Sequence, residues 1–262
     1  IYISNRGVSS TFIYTAGEEG WEEIPTLEHL RNFPTKRGKF VDLVEAIIEE
    51  EAVDLVAARE GMEKIRLFSK TGEALISLVQ IGNDPFISYT VRGEDPLAYA
   101  SHPSARELVN GRPYGTPLWF QKTAATEYPN AVVEMAHLFR DPRAGDLLVI
   151  AKEPWGFRTP KAGTHGSLGR SDMHIPLWIA GPGISKKRFG AAQSVDLYPT
   201  VLSWFGIETP TLKSQEGKNL FGPQTALHSQ KTSDTLAFLE REIMNHPSLY
   251  KAAQPERLIQ EM

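Results

Sequence analysis

Five apolar residues in a row, Leu147-Leu148-Val149-Ile150-Ala151, stand between the turn pair Gly145-Asp146 and the polar run Lys152-Glu153-Pro154. A run this short, closed by turn residues and rich in branched side chains, reads as a buried strand. Val53 to Ala58 is a second strand, hydrophobic enough to be central in a sheet. It follows a helical pattern over Lys39 to Glu51, whose apolar face uses Phe40, Leu43, Val44, Ile47 and Ile48. A helix leading into a buried strand points to an α/β fold with a partly parallel sheet.

The remaining elements fill in around these two strands. Ile1 to Ser4 is a strand, Asn5-Arg6-Gly7 a turn, and Ser10 to Thr15 a second strand. Leu27 to Asn32 is a short helix with Thr26 as its cap. Lys64 to Ser69 turns at Lys70-Thr71-Gly72 into Glu73 to Gln80, and Phe86 to Val91 adds another strand. Residues 1–125 thus form a mixed α/β lobe that ends in Pro- and Gly-rich loops. A short helix is expected there over Ser104 to Val109, with Trp119 and Phe120 packed beneath the loops. Residues 126–230 hold a helix from Asn130 to Phe139, with Val132, Val133, Met135, Ala136 and Phe139 on its apolar face, and the core strand Leu147 to Ala151. Residues 231–262 read as a C-terminal helix, Thr232 to Asn245, followed by a tail.

Composition excludes several classes. The 262 residues are 41% hydrophobic, enough to bury one large core or two small ones. A formal net charge of −4 leaves no basic footprint for nucleic acid. The chain has no cysteine, so disulfides and thiolate metal sites are ruled out. No run approaches the ~20 apolar residues that would span a bilayer. Opening in a strand, without methionine, the sequence reads as a piece of a longer chain, and its compartment stays open.

Chemistry concentrates in one loop, Gly163-Thr164-His165-Gly166-Ser167. Small neighbours leave room around His165, and it follows the strand Leu147 to Ala151 by a loop, a placement that suits a site residue. Spacing alone leaves two readings open, a metal ligand or a surface loop histidine. Further on, Ile175-Pro176-Leu177-Trp178-Ile179-Ala180 stops at Gly181-Pro182-Gly183 and reads as a second buried strand, neighbour to Leu147–Ala151. Asp196 is acidic and close, but it precedes a helix to Phe205 with Pro199 in the first turn, so it reads as an N-cap. His174 reads as a structural histidine beside the strand. Arg170 and Asp172 are candidates to line a pocket with His165.

These residues also carry a resemblance. The block Gly163-Thr164-His165-Gly166-Ser167 with Ile175 to Ile184 resembles the alkaline phosphatase superfamily, nearest its phosphodiesterase and nucleotide pyrophosphatase branch. Ser194-Val195-Asp196-Leu197-Tyr198-Pro199-Thr200-Val201-Leu202, then Phe205-Gly206-Ile207 with Pro210, agree with it in order and spacing. So does Glu216-Gly217-Lys218-Asn219-Leu220. The likeness spans Gly145 to Leu220 well and the first 140 residues loosely. It implies the C-terminal part of an α/β/α sandwich and a metal-dependent phosphoester hydrolase acting on a small-molecule phosphoester. It further implies two catalytic metals, usually zinc with manganese as an alternative, and a ligand role for His165. Sulfatases share the fold but tend to carry lysine in this region.

In that family a serine or threonine nucleophile, an Asp-His-Gly motif and most metal ligands lie upstream of the matched region. The metals lower the nucleophile's pKa, a covalent phospho-enzyme forms, and water hydrolyses it. Neither Asp-His-Gly nor a nucleophile segment occurs in these 262 residues. The resemblance therefore implies that this chain alone lacks the complete site and needs an upstream part of the same protein. The competing readings are a non-catalytic binding or interaction module that keeps the fold, and a sulfatase-type ester hydrolase.

Overall fold

The computed structural model describes residues 1–4, 7–81, 84–159, 165–180, 184, 188–205 and 217–221. The chain divides into two compact units, Ile1–Trp178 and Ile179–Met262. The expected C-terminal helix over Thr232 to Asn245 and the turn Gly181-Pro182-Gly183 lie outside the described residues.

The first unit is built on a sheet. In chain order its elements are β1 (Tyr2–Ser4), β2 (Ser10–Tyr14), α1 (Leu27–Arg31), β3 (Phe33–Pro34), β4 (Phe40–Val41), α2 (Leu43–Ile48) and β5 (Val53–Gly61). Then come β6 (Lys64–Phe68), β7 (Gly72–Ile81), β8 (Asp84–Gly93), two 3-10 turns, β9 (Tyr114–Gly115), α3 (Thr116–Thr123), α4 (Ala131–Arg140), β10 (Leu147–Ala151) and α5 (Arg170–Met173). Eight strands form one sheet in the order β1-β2-β10-β5-β6-β7-β8-β9, and β3 pairs with β4 apart from it. Every neighbouring pair is antiparallel.

The expected partly parallel sheet is therefore corrected. β5 through β8 are joined by tight hairpins, and a short turn returns the chain beside itself in the opposite sense. A parallel neighbour would need a crossover of a dozen residues or more. β10 enters between β2 and β5: Leu148 lies opposite Phe12 on one side and Ala57 on the other. All five residues of β10 are buried, because both of its edges are paired and both of its faces are covered.

Helices pack on both faces of the sheet. On one side Leu55, Leu67, Ile76, Tyr89 and Ile150 meet α3 and α4 through Trp119, Met135 and Phe139. On the other, Val56, Leu147 and Val149 meet Leu30 of α1 with Val44 and Ile48 of α2. Local signals start these helices. Thr26 Oγ1 accepts from His29 N–H at 3.1 Å, and Asp42 accepts from Glu45 N–H at 2.9 Å. The helix expected over Lys39 to Glu51 is shorter than its pattern. Phe40 stays in β4, 65% exposed, because Asp42 caps the helix after it.

The second unit is described over fewer residues. A 3-10 turn, Ser194–Asp196, runs into α6 (Leu197–Trp204). The segment 217–221 is laced to it: Lys218 N–H donates to Asp196 at 2.8 Å, Leu220 N–H to Thr200 Oγ1 at 3.0 Å, and Asn219 Nδ2 to Ser203 Oγ at 2.7 Å. Two sequence blocks some twenty residues apart thus form one local structure. No helix among the described residues is long and apolar enough to cross a membrane.

Candidate functional site

His165 is held by its backbone and shows its side chain to solvent. Its carbonyl accepts from Val8 N–H at 3.2 Å. Val8 is fixed in turn, since its own carbonyl accepts from Phe157 N–H at 2.8 Å, and the neighbouring Ser9 carbonyl accepts from Ala151 N–H at 2.8 Å. The turn after β1 therefore clasps both the exit of β10 and the His165 loop. The approach is close: a Cβ on Gly7 would sit 2.6 Å from the His165 carbonyl oxygen and 3.0 Å from Gly166 Cα. Gly166 has φ of +112°, a conformation that side chains disfavour.

The far side of the loop is anchored as well. Ser167 N–H donates to Asp172 at 2.8 Å, and Gly169 N–H donates to Ser167 Oγ at 3.0 Å. Arg170 N–H donates to the Glu127 carbonyl at 2.7 Å. The Arg170 guanidinium reaches the Ala125 carbonyl at 3.3 Å, and the His174 ring lies 2.8 Å from the Ala124 carbonyl through Nε2. Ser171 Oγ donates to Glu153, just beyond β10. Beneath this seat, burial and then Asp54 push the Tyr128 phenol well above its ordinary range, so it acts as a neutral donor to that carboxylate.

The structure thus separates the candidates. Among these candidates His165 is the one whose ring hydrogen-bonds no described residue; its backbone is tied and the residue is exposed. Arg170 and Asp172, read as pocket-lining residues, instead bind backbone groups that position the loop. His174, read as a structural histidine beside a strand, is exposed and has no strand next to it; its ring is engaged with the Ala124 carbonyl. Asp196 is a correction in detail. It is buried, but it does not cap α6 with its side chain. It closes the 3-10 turn by accepting from Gln193 N–H at 2.8 Å and spends its other oxygen on Lys218.

The run Ile175–Ala180 is the larger correction. It forms no strand, and Ile175, Leu177 and Trp178 are exposed. It cannot neighbour β10, because β2 and β5 already occupy both edges of that strand. Pro176 also lacks the N–H that a ladder requires.

The residues that sequence reasoning missed are Gly7 and Val8, which hold His165 from the opposite end of the unit. Their only local signal is the turn Asn5-Arg6-Gly7, which says that the chain reverses but not what it touches.

Fit to a metal centre can be tested on the donors. A zinc site takes about four ligands, and a two-metal site more. No three His, Asp or Glu side chains among the described residues stand together as a metal site. The described residues therefore do not form a closed two-metal centre by themselves. An open cavity of about 600 Å³ lies elsewhere, lined by Ala16, Glu18, His29, Phe33 and Phe40 among others. There the His29 ring is engaged, 3.2 Å from the Ala16 carbonyl and edge-on to Phe33. The histidine of this cavity is thus committed to the chain.

No family model, no curated protein and no solved structure matches this chain.

Proposed function

We propose that the chain is the C-terminal part of a metal-dependent phosphoester hydrolase with an alkaline-phosphatase-like α/β/α sandwich, in which His165 is a ligand to one of two metals. The nucleophile and the remaining ligands come from polypeptide outside these 262 residues. The observation that carries the reading is the seating of His165. Its carbonyl is tied to Val8 and its loop is anchored at Ser167 by Asp172 of α5, while His165 itself is left in solvent. A histidine presented on a fixed backbone is what a metal site asks of a ligand, because geometry must be set before the ion arrives. The helices on both faces of the sheet and the order of the sequence blocks around His165 agree with the same reading. The substrate class is a small phosphoester, and zinc or manganese is the expected metal.

The test is His165→Ala in the full-length protein. The thermal midpoint of the metal-free variant should equal that of wild type, since the loop buries little apolar surface. Hydrolysis of an aryl phosphodiester, with zinc or manganese restored, should fall by at least ~10-fold. Unchanged hydrolysis would put His165 outside the metal site. A large loss of metal-free stability with a matching loss of activity would make it a structural residue.

A further inference from the structure

The open cavity of about 600 Å³ lies where the loop after β2 meets α1 and the β3–β4 hairpin. Its size suits a small organic ligand. None of its lining residues belongs to the His165 loop. Two carboxylates line it, Glu18 and Glu28, and no lysine or arginine among the described residues does. One wall is apolar. Phe33 and Pro34 of β3 stand there with Phe40 of β4, and Pro34 lies directly opposite Phe40 in the register of the two strands. Phe40 is 65% exposed, an aromatic surface available to a ligand.

His29 sets the chemistry of this cavity. Its side chain is only 9% exposed, and its ring is tied to the chain through one nitrogen. Nε2 lies 3.2 Å from the Ala16 carbonyl, and a carbonyl can only accept, so Nε2 carries the hydrogen. In the neutral ring Nδ1 is then a bare acceptor. The group nearest to it across the cavity is Glu18 Oε1 at 3.8 Å, another acceptor, beyond hydrogen-bond distance. Neither the Glu18 nor the Glu28 carboxylate hydrogen-bonds a described residue.

Two acceptors that face each other at a cavity wall call for a donor that serves both. Atoms 3.8 Å apart can each lie about 2.9 Å from a single nitrogen. A primary ammonium carries three hydrogens, so it can give one to Nδ1 and one to Glu18, and its charge strengthens both bonds. Glu28 adds a second negative charge to the same cavity, which favours a cation further. A bare metal ion fits less well, because His29, Glu18 and Glu28 do not converge as a metal-binding group.

We propose that this cavity is a binding site for a small primary amine carried on an aromatic body. The ammonium donates to His29 Nδ1 and to the Glu18 carboxylate, and the ring lies against Phe33, Pro34 and Phe40. The site is independent of the hydrolase reading, since it uses none of the residues that seat His165.

The test is a titration of the 262-residue chain with 2-phenylethylamine at about pH 8, followed by nitrogen-15 NMR. In the free protein the His29 ring should carry its hydrogen on Nε2 alone. Addition of the amine should move the Nδ1 signal and the amide signals of Glu18, His29 and Phe40, and the shifts should saturate together. 2-Phenylethanol, which lacks the charge, and ethylamine, which lacks the ring, should each bind at least ~10-fold more weakly. A free ring protonated on both nitrogens would overturn the proposal, because Nδ1 could not then accept. Shifts that never saturate, or equal binding of either comparison compound, would overturn it too. Two variants locate the site. Glu18→Gln and Phe40→Ala should leave the unfolding midpoint unchanged, since both side chains are exposed. Glu18→Gln should weaken 2-phenylethylamine by at least ~10-fold. Phe40→Ala should weaken 2-phenylethylamine and leave ethylamine as it was. Undiminished affinity in both variants would place the amine outside this cavity.

Discussion

A single missing Cβ sets the position of His165. Gly7 lies against the His165 carbonyl and Gly166 Cα, both backbone atoms that cannot swing aside as a flexible side chain can. Gly7→Ala should therefore push the loop outward, at a cost of about 1–3 kcal/mol for the forced shift. Two measurements check it. Exchange at the Val8 amide, which now donates to His165 at 3.2 Å, should quicken. Hydrolysis by the full-length protein should drop although the imidazole is still present. Unchanged exchange at Val8 would mean that the clasp is not tight. Arg170, Asp172 and His174 illustrate the same point from the other side. Their residue types are those of a site, yet each is spent on a backbone group.

Among the elements, α3 is one that pattern reading passed over. Thr116-Pro117-Leu118-Trp119 looks like the end of a Pro-rich loop, but proline is well accepted in the first turn of a helix, where its missing N–H would have no partner. What docks α3 is Trp119. The ring is fully buried among Tyr89, Tyr99 and Tyr114, with centroids 6.2 to 6.4 Å away, and its Nε1 donates to Ile87. Trp119→Ala should cost about 3–5 kcal/mol through lost contacts and the void left behind. Trp119→Phe should cost about 1–3 kcal/mol, mainly by leaving the Ile87 carbonyl without its donor. Urea unfolding followed by far-UV circular dichroism separates the two. Equal costs would show that the ring's packing contributes nothing beyond the lost hydrogen bond. By contrast α4 was legible residue by residue. Val132, Val133, Met135, Ala136 and Phe139 form its expected face, and all five are buried.

For the whole molecule, the division at Trp178 has a direct consequence. Among the described residues every strand of the large sheet lies between Tyr2 and Ala151, and both of its hydrophobic layers are supplied by Leu168 and earlier residues. A chain ending at Trp178 should therefore fold by itself. It should unfold in one cooperative transition, read alike by tryptophan fluorescence and by circular dichroism. Two non-coincident transitions, or none, would show that the unit depends on residues beyond Trp178.

Local chemistry by itself determined most of the elements. Alternation and short apolar runs marked β5, β6, β7, β8 and β10, a 3.6-residue period marked α2 and α4, and Thr26 marked the start of α1, because each of these signals acts within a few residues. The sequence also singled out His165 as the loop histidine with room around it. Tertiary structure alone decided pairing and partnership. Backbone N–H and C=O groups are the same at every residue, so nothing in Leu147–Ala151 says that its edges belong to β2 and β5 and are closed to Ile175–Ala180. Nor does anything near Asp196 announce Lys218, or anything near His165 announce Gly7. Those contacts join residues distant along the chain, and they exist only once the layers have packed.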